Sequence, residues 1–391
     1  MNLPSVKFNI QNGGLLQQPA TSDKVIGLIA TGVAVTGTPG LTLDTSYQLF
    51  SLSDAENIGI VAGGTNDFIY KQLEQFYTEA GQGAELWLML VSAATTYTEM
   101  LDVTKAHAKK LLADAGGAIR VLGAVKKSTG SEVAVEGLDG DVHTAVVKAQ
   151  ALADYYAEKY MPVRVIISGN NYSGTIADLK DYTTTAFNRV ACLLANTDAS
   201  KVASVGLALG RLAKTPVQRN LGRVADGAVE NLTAYFTNGE KVESQQDAWD
   251  AVYNKGYIFL RSFVSKSGYY FSDDLTLTSE TDDFNSLARG LVLDKAIILA
   301  YASLVNNLLD EVEVAASGAI HPAVVKSWQS QVENALNTMV AAGNLSNVEV
   351  YIDENQNILS TGIMQVVIKL QPVGYAKQIT VNIGFTTTIN N

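Results

Sequence analysis

The chain has 391 residues, 47% hydrophobic and 17% charged, with 28 Lys and Arg against 39 Asp and Glu. A net charge of -11 with no Lys/Arg-rich run argues against nucleic acid as a partner and against anchorage on anionic lipid. The hydrophobic fraction excludes bulk disorder, and at about 100–200 residues per domain the length predicts two or three domains. The longest apolar run, Ala296–Val305, is about half of the roughly 20 residues a membrane span needs. The first residues, MNLPSVKFNIQNGG, have no apolar core, so a soluble protein without a secretory signal or membrane insertion is expected. Cys192 is the only cysteine, which excludes an intramolecular disulfide and a Cys-based zinc site. His107, His143 and His321 are scattered, so no metal or other cofactor is expected.

Along the chain, Val6, Phe8 and Ile10 alternate with polar residues, the period of a strand with one apolar face. Asn12-Gly13-Gly14 breaks it before the next apolar strand at Val25–Thr31. The opening segment reads as a strand on a tether that reaches about 60 Å when extended. From there the pattern alternates. Strands are expected at Val25–Thr31, Glu85–Val91, Ile119–Val125, Val163–Ser168 and Arg189–Ala195. Between and after them, helices are expected at Asn66–Ala80, Thr98–Ala115, Thr144–Tyr160, near Thr175–Tyr182, and at Ala199–Ala213. Near-continuous apolar strands separated by helices predict an α/β domain with a mostly parallel sheet covered on both faces.

A domain change is expected near residue 230, and the remainder reads as α+β. It has a strand at Tyr257–Val264, a long helix Asp282–Leu309, and a helix Pro322–Ala341 opened by proline and closed by Gly343. Three alternating strands follow at Val348–Ile352, Met364–Leu370 and Gln378–Phe385. The last carries Ile379, Val381, Ile383 and Phe385 on one face.

Few motifs suggest chemistry. No Walker loop, nucleophile elbow or dinucleotide-binding fingerprint is present. Gly206 and Gly210 inside a helix pattern are read as sites of close helix packing. Gly137-Leu-Asp139-Gly140-Asp141 lacks the ligands of a calcium loop and reads as a turn before a helix. The loop Gly169–Gly174 follows a strand, where α/β sheets often bind ligands, and Ser173 is the one conceivable nucleophile. It has no histidine nearby in sequence. Asp282 and Asp283 read as caps for the long helix. A non-enzyme is expected, with an α/β ligand-binding protein or enzyme using Gly169–Gly174 as the alternative. In the helix Pro322–Ala341, Val324, Val325, Trp328, Val332, Ala335 and Met339 fall on one arc. Lys326, Ser330, Glu333 and Asn337 fall opposite, as a solvated face or a docking surface.

Several stretches together resemble the contractile tail sheath proteins of bacteriophages and phage-like injection systems. They are Leu3–Ile10, Ala199–Ala213 with Thr215-Pro216, Tyr257–Phe263, Asp282–Asp294, the helix Pro322–Ala341, and the ending Val366–Phe385. The resemblance implies an N-terminal extended arm at 1–20, an α/β domain at 21–230, an α+β sheath core at 231–375 and a C-terminal arm at 376–391. The arm strands, Val6, Phe8 and Ile10 with Ile379, Val381, Ile383 and Phe385, would add to sheets in neighbouring subunits. The helix 322–341 would face an inner tube through Lys326, Ser330, Glu333 and Asn337. The implied partners are the chain itself as a helical homopolymer, the inner tube protein, and baseplate and tail terminator proteins. The implied setting is a virion tail or phage-like particle assembled in the bacterial cytoplasm. The implied function is mechanical: a metastable cylinder contracts and drives its tube through a target envelope, using interface repacking instead of nucleotide hydrolysis. A static tube or surface-layer subunit would keep polymerisation without the length change.

Overall fold

The computed structural model describes residues 22–37, 39–309, 311–314, 318–381 and 383–385. Val6, Phe8, Ile10 and the expected arm 1–20 lie outside the described residues. The described chain forms two compact units, one up to Tyr301 and one from Ala302 onward.

The first unit is built on a seven-stranded sheet. Its strands are β1 (Val25–Gly32), β2 (Ser46–Leu49), β3 (Leu86–Ser92), β4 (Ile119–Val125), β5 (Arg164–Ser168), β6 (Val190–Leu193) and β7 (Tyr257–Ile258), in the order β7-β6-β5-β4-β1-β3-β2. All neighbours run parallel except β2, which pairs antiparallel with β3. Every residue from Val25 to Ala30 except Gly27 is a buried apolar side chain, because strands covered on both faces need apolar residues at odd and even positions alike. The helices of this unit include α1 (Asp67–Ala80), α2 (Tyr97–Leu101), α3 (His107–Asp114), α4 (Gly140–Ala157) and α5 (Val205–Lys214), with most of α6 (Leu287–Leu304).

Gly206 and Gly210 do what the sequence reading assigned them. A Cβ at Gly206 would overlap the carbonyl of Gln72, and one at Gly210 would press on that of Phe76, so α1 and α5 touch backbone to backbone. The Gln72 amide exploits the approach: its oxygen accepts from Gly206 N–H at 2.8 Å, and its nitrogen donates to the Ala203 carbonyl at 3.1 Å. Beside them Arg211 and Glu79, both buried, form an ion pair at 2.7 Å. Lys24 closes the other end of α5. Its buried ammonium lies 2.9 Å from the carbonyl oxygen of Leu212, 2.6 Å from that of Thr215 and 3.0 Å from that of Pro216. A cation there suits the negative end of the helix, while burial pulls its pKa down to about 7.

A second buried ion pair joins α6 to the sheet. Arg164, the first residue of β5, donates from Nε and Nη2 to the two carboxylate oxygens of Asp294 at 2.7 and 3.0 Å, both side chains being 1% exposed. Arg189 reaches the same carboxylate at 3.3 Å. Gly290, one turn earlier on α6, leaves the space that the Arg164 guanidinium fills.

Several elements differ from the sequence expectation. The helix expected at Thr98–Ala115 is two helices, since Asp102 takes the N–H and hydroxyl of Thr104 at 2.9 and 2.8 Å. Such local side-chain bonds compete with the helix ladder. No helix forms near Thr175–Tyr182. There the Ser173 hydroxyl accepts from Thr175 N–H at 3.2 Å and Asp181 from Thr183 N–H at 2.9 Å, holding turns instead. The helix expected from Ala199 begins at Val205, because Ala203 N–H is taken by the Ser168 hydroxyl at 2.8 Å. The long helix starts at Leu287, and its cap is Asp274 from the earlier acidic doublet, accepting from Ala288 N–H at 2.9 Å. Asp282 instead closes a local turn onto Phe284 N–H at 2.8 Å. The compact units also divide at Tyr301/Ala302 instead of near residue 230, since β7 lies in the main sheet.

Asp294→Ala strands the Arg164 guanidinium in the interior, while Arg189 keeps Asp154, and is expected to cost about 3–5 kcal/mol. Urea unfolding followed by circular dichroism measures it. Gly206→Val forces α1 and α5 apart and is expected to cost about 1–3 kcal/mol in the same assay.

Candidate assembly interface

The second unit is small, and its core comes from one helix and one hairpin. Helix α7 (Pro322–Ala341) has the bounds the sequence gave it. The His321 ring accepts from Ala323 N–H at 3.3 Å, and Pro322 fills the first turn, where no N–H is needed. Its buried residues are Val325, Val332, Leu336 and Met339. Leu336 joins the apolar arc in place of Ala335, which is half-buried. The helix packs on strand β8 (Leu345–Tyr351), which pairs antiparallel with β9 (Val367–Pro372), Val348 facing Leu370 and Val350 facing Ile368.

Alternation along β8 is interrupted at Ser346 and Asn347, where the register shifts, and resumes from Val348. On β8, Val348 and Val350 are buried while Asn347, Glu349 and Tyr351 are exposed. The strand expected at Met364–Leu370 begins only at Val367, so Met364 and Val366 precede it; Met364, Val366, Ile368 and Leu370 alternate with exposed residues, yet all four are only half-buried. Among the described residues this sheet has two strands, so each outer edge lacks a strand partner. Among the described residues of the expected strand Gln378–Phe385, 378–381 and 383–385, none joins a ladder with another described strand. Ile379, Val381, Ile383 and Phe385 are exposed, between 74% and 112%.

On α7, Lys326, Ser330 and Asn337 are exposed and Glu333 is half-buried. Lys326 pairs with Glu354 at 3.4 Å. The other exposed positions between them are Ser327, Gln331 and Asn334, so the outer face is mostly hydroxyl and amide.

The Gly169–Gly174 loop has another occupation. Asn170 is fully buried; its amide nitrogen donates to the Lys126 carbonyl at 2.8 Å. Its oxygen accepts from Tyr97 Oη at 3.1 Å and Ser168 Oγ at 2.5 Å. Gly169 contributes its carbonyl to the Thr237 hydroxyl. These bonds stitch the ends of β4 and β5 to their neighbours. Ser173 is exposed and engaged in its own turn. His143 bonds Tyr182 Oη at 2.7 Å and the Val135 carbonyl at 2.9 Å, and burial lowers its pKa. His107 is held by Asp44 at 2.6 Å. Cys192, in the middle of β6, is fully buried, and desolvation raises its thiol pKa. In Gly137–Asp141, Asp139 caps α4 through Asp141 N–H at 3.1 Å, and Asp141 accepts from Tyr97 and Thr98 N–H at the start of α2. Among the described residues no group of three or more His, Cys, Asp or Glu is placed to hold a metal ion. Nor is any helix among them long and apolar enough to cross a membrane.

Two family models divide the chain between them. Residues 3–275 match the N-terminal domain of DUF2586 and residues 283–390 match its C-terminal domain. The chain belongs to the DUF2586 family. No curated protein matches it in sequence. Among solved structures it is similar to the helical sheath of the anti-feeding prophage in its contracted state, at 13% identity and a TM-score of 0.64 over 99% of this chain and 100% of that one. The contracted sheath complex of an extracellular contractile injection system, PVC, matches at 15% identity and 0.62, over 100% and 98%. A sheath tail protein from Listeria innocua matches at 10% and 0.51, over 89% and 95%. This DUF2586 chain therefore has the fold of contractile sheath proteins, a mixed α/β architecture around a parallel-rich sheet, in line with the sequence resemblance.

Asn170→Ala removes a buried hub and is expected to cost about 1–3 kcal/mol in urea unfolding. Ser173→Ala is expected to leave stability within about 0.5 kcal/mol, as an exposed turn residue should.

Proposed function

We propose that this chain is the structural subunit of a contractile tail sheath, polymerising helically through exchange of terminal strands and acting without enzymatic chemistry. The observation that carries the reading is the mismatch inside the second unit. A two-stranded sheet with open edges and a half-covered apolar row stands in the same chain as an exposed segment of four alternating apolar residues. Each is what the other lacks. A neighbouring copy's Ile379, Val381, Ile383 and Phe385 would extend the sheet, ladder bonds supplying affinity and alternate side chains fixing register. A donor and acceptor at different places on one chain make a heterologous contact, which propagates into a helix unless it closes into a ring.

Val6, Phe8 and Ile10 are proposed as the second donor strand. The face of α7 bearing Lys326, Ser330, Glu333 and Asn337 is proposed to meet an inner tube. Two of the sheath similarities are to assemblies in the contracted state, and a further similarity, at 14% identity and a TM-score of 0.63, is to the anti-feeding prophage baseplate. They support a sheath associated with a baseplate; growth toward a terminator protein and assembly in the bacterial cytoplasm belong to the proposal. Contraction draws its free energy from repacked subunit contacts. A bias of roughly 5.5 kcal/mol per switching unit moves a two-state contact from 1:99 to 99:1.

Negative-stain electron microscopy over a concentration series tests the reading, with hollow cylinders expected from the full chain. Val381→Ser together with Ile383→Ser is expected to abolish cylinders while circular dichroism retains the helix signal. Normal cylinders from this double variant would overturn the C-terminal strand exchange.

A further inference from the structure

The end of α4 in the first unit carries tyrosines and lysines that the strand exchange does not use. Tyr160 and Tyr301 stack face to face, with ring centroids 4.3 Å apart and planes at 18°, yet remain 54% and 41% exposed. Tyr160 holds a left-handed backbone at φ 60°, uncommon for a residue with a side chain, in the turn that ends α4. Five residues earlier in the chain, on α4, the Tyr155 ring has the Lys159 ammonium 4.3 Å and the Lys109 ammonium 5.3 Å from its centroid, while the neighbouring exposed Asp154 is paired with Arg189 at 3.2 Å and Glu158 is exposed. The two lysines face a ring instead of a carboxylate, and Lys159 first, then Lys109, pulls the phenol pKa down. Rigid exposed tyrosines with cations are typical of contact surfaces.

The rest of the molecule identifies a fitting occupant. The chain has a net charge of -11, and the helical turns Val242–Ala248 and Trp249–Tyr253 expose Glu243, Asp247 and Asp250. The two surfaces belong to opposite ends of the strands. Tyr160 comes four residues before β5 begins at Arg164, whereas Gln245 faces Gly174, beyond the end of β5 at Ser168.

We infer that the Tyr155–Tyr160–Tyr301 patch with Lys109 and Lys159 is a second subunit contact, which receives the Glu243–Asp250 segment of another copy of this chain. The inference rests on the polymer reading above and adds a body-to-body interface to the strand exchange. Head-to-tail pairing of opposite ends is again heterologous, so it propagates in the same polymer.

A charge swap tests the pairing. Lys109→Glu with Lys159→Glu is expected to raise the critical concentration for assembly at least tenfold, with an unchanged thermal midpoint. Glu243→Lys with Asp247→Lys is expected to do the same, and all four substitutions together to restore assembly. Tyr301→Ser provides a neutral check should a swapped variant fold poorly, with the same expected loss. An unaltered critical concentration in the lysine swap or in Tyr301→Ser would overturn the contact while leaving the sheath reading intact. So would a four-fold variant as weak as either pair. A wild-type chain that stays monomeric at every concentration would overturn the polymer reading and this contact together.

Discussion

The bidentate pair between Arg164 and Asp294 fixes the relation on which the first unit depends. It ties the start of a central strand to the middle of a helix 130 residues later in the chain. Both groups are out of water, so each is tolerable only because the other is present, and their net contribution to stability is far smaller than the cost of losing one. Its geometry is demanding. The guanidinium has room because residue 290 is glycine, and its remaining donor reaches the Asn188 carbonyl at 2.8 Å. An apolar contact would tolerate sliding of α6 along the sheet, whereas a two-pronged ionic one selects a single register.

The same device recurs around α5, with different chemistry. Glycines bring its backbone against α1, the Gln72 amide bridges the seam, Arg211 meets Glu79 beneath it, and Lys24 seals its last carbonyls. Polar groups thus lock helices to one another and to a sheet whose central strands are mostly apolar. The second unit is organised the opposite way. Its apolar residues outrun its ability to cover them, leaving a half-buried row on the hairpin and a bare one after it. The first unit is locked by internal ion pairs, whereas the second leaves apolar side chains exposed.

Much of this was legible in the sequence. Near-continuous apolar strands announced a parallel sheet, and β4 and α7 came out with the bounds read from pattern alone. The alternation that put Met364, Val366, Ile368 and Leu370 on one face is found as half-buried positions between exposed ones. What escaped was decided by side chains far apart in the chain. Nothing local says that Asp141 will cap α2, that Asp274 will cap α6, or that Ser168 will take the N–H that would have extended α5. Arg164 and Asp294 also lie too far apart for any spacing rule, although a buried charge in an apolar helix such as α6 is a signal that a partner waits elsewhere. The domain break was misplaced because the strand read at Tyr257–Val264 was assigned to the second domain, whereas its first two residues form β7 at the edge of the main sheet.

The outer face of α7 has a consequence for how a contact made there behaves. Its exposed residues are chiefly serine, asparagine and glutamine, and its lysine already has Glu354 as a partner. Such a face projects almost no field beyond its hydrogen-bonding distance, so it gains no electrostatic steering and loses little when salt shortens the Debye length. A surface resting on it is held by geometry alone, and separates when the geometry changes, whatever the ionic strength around it.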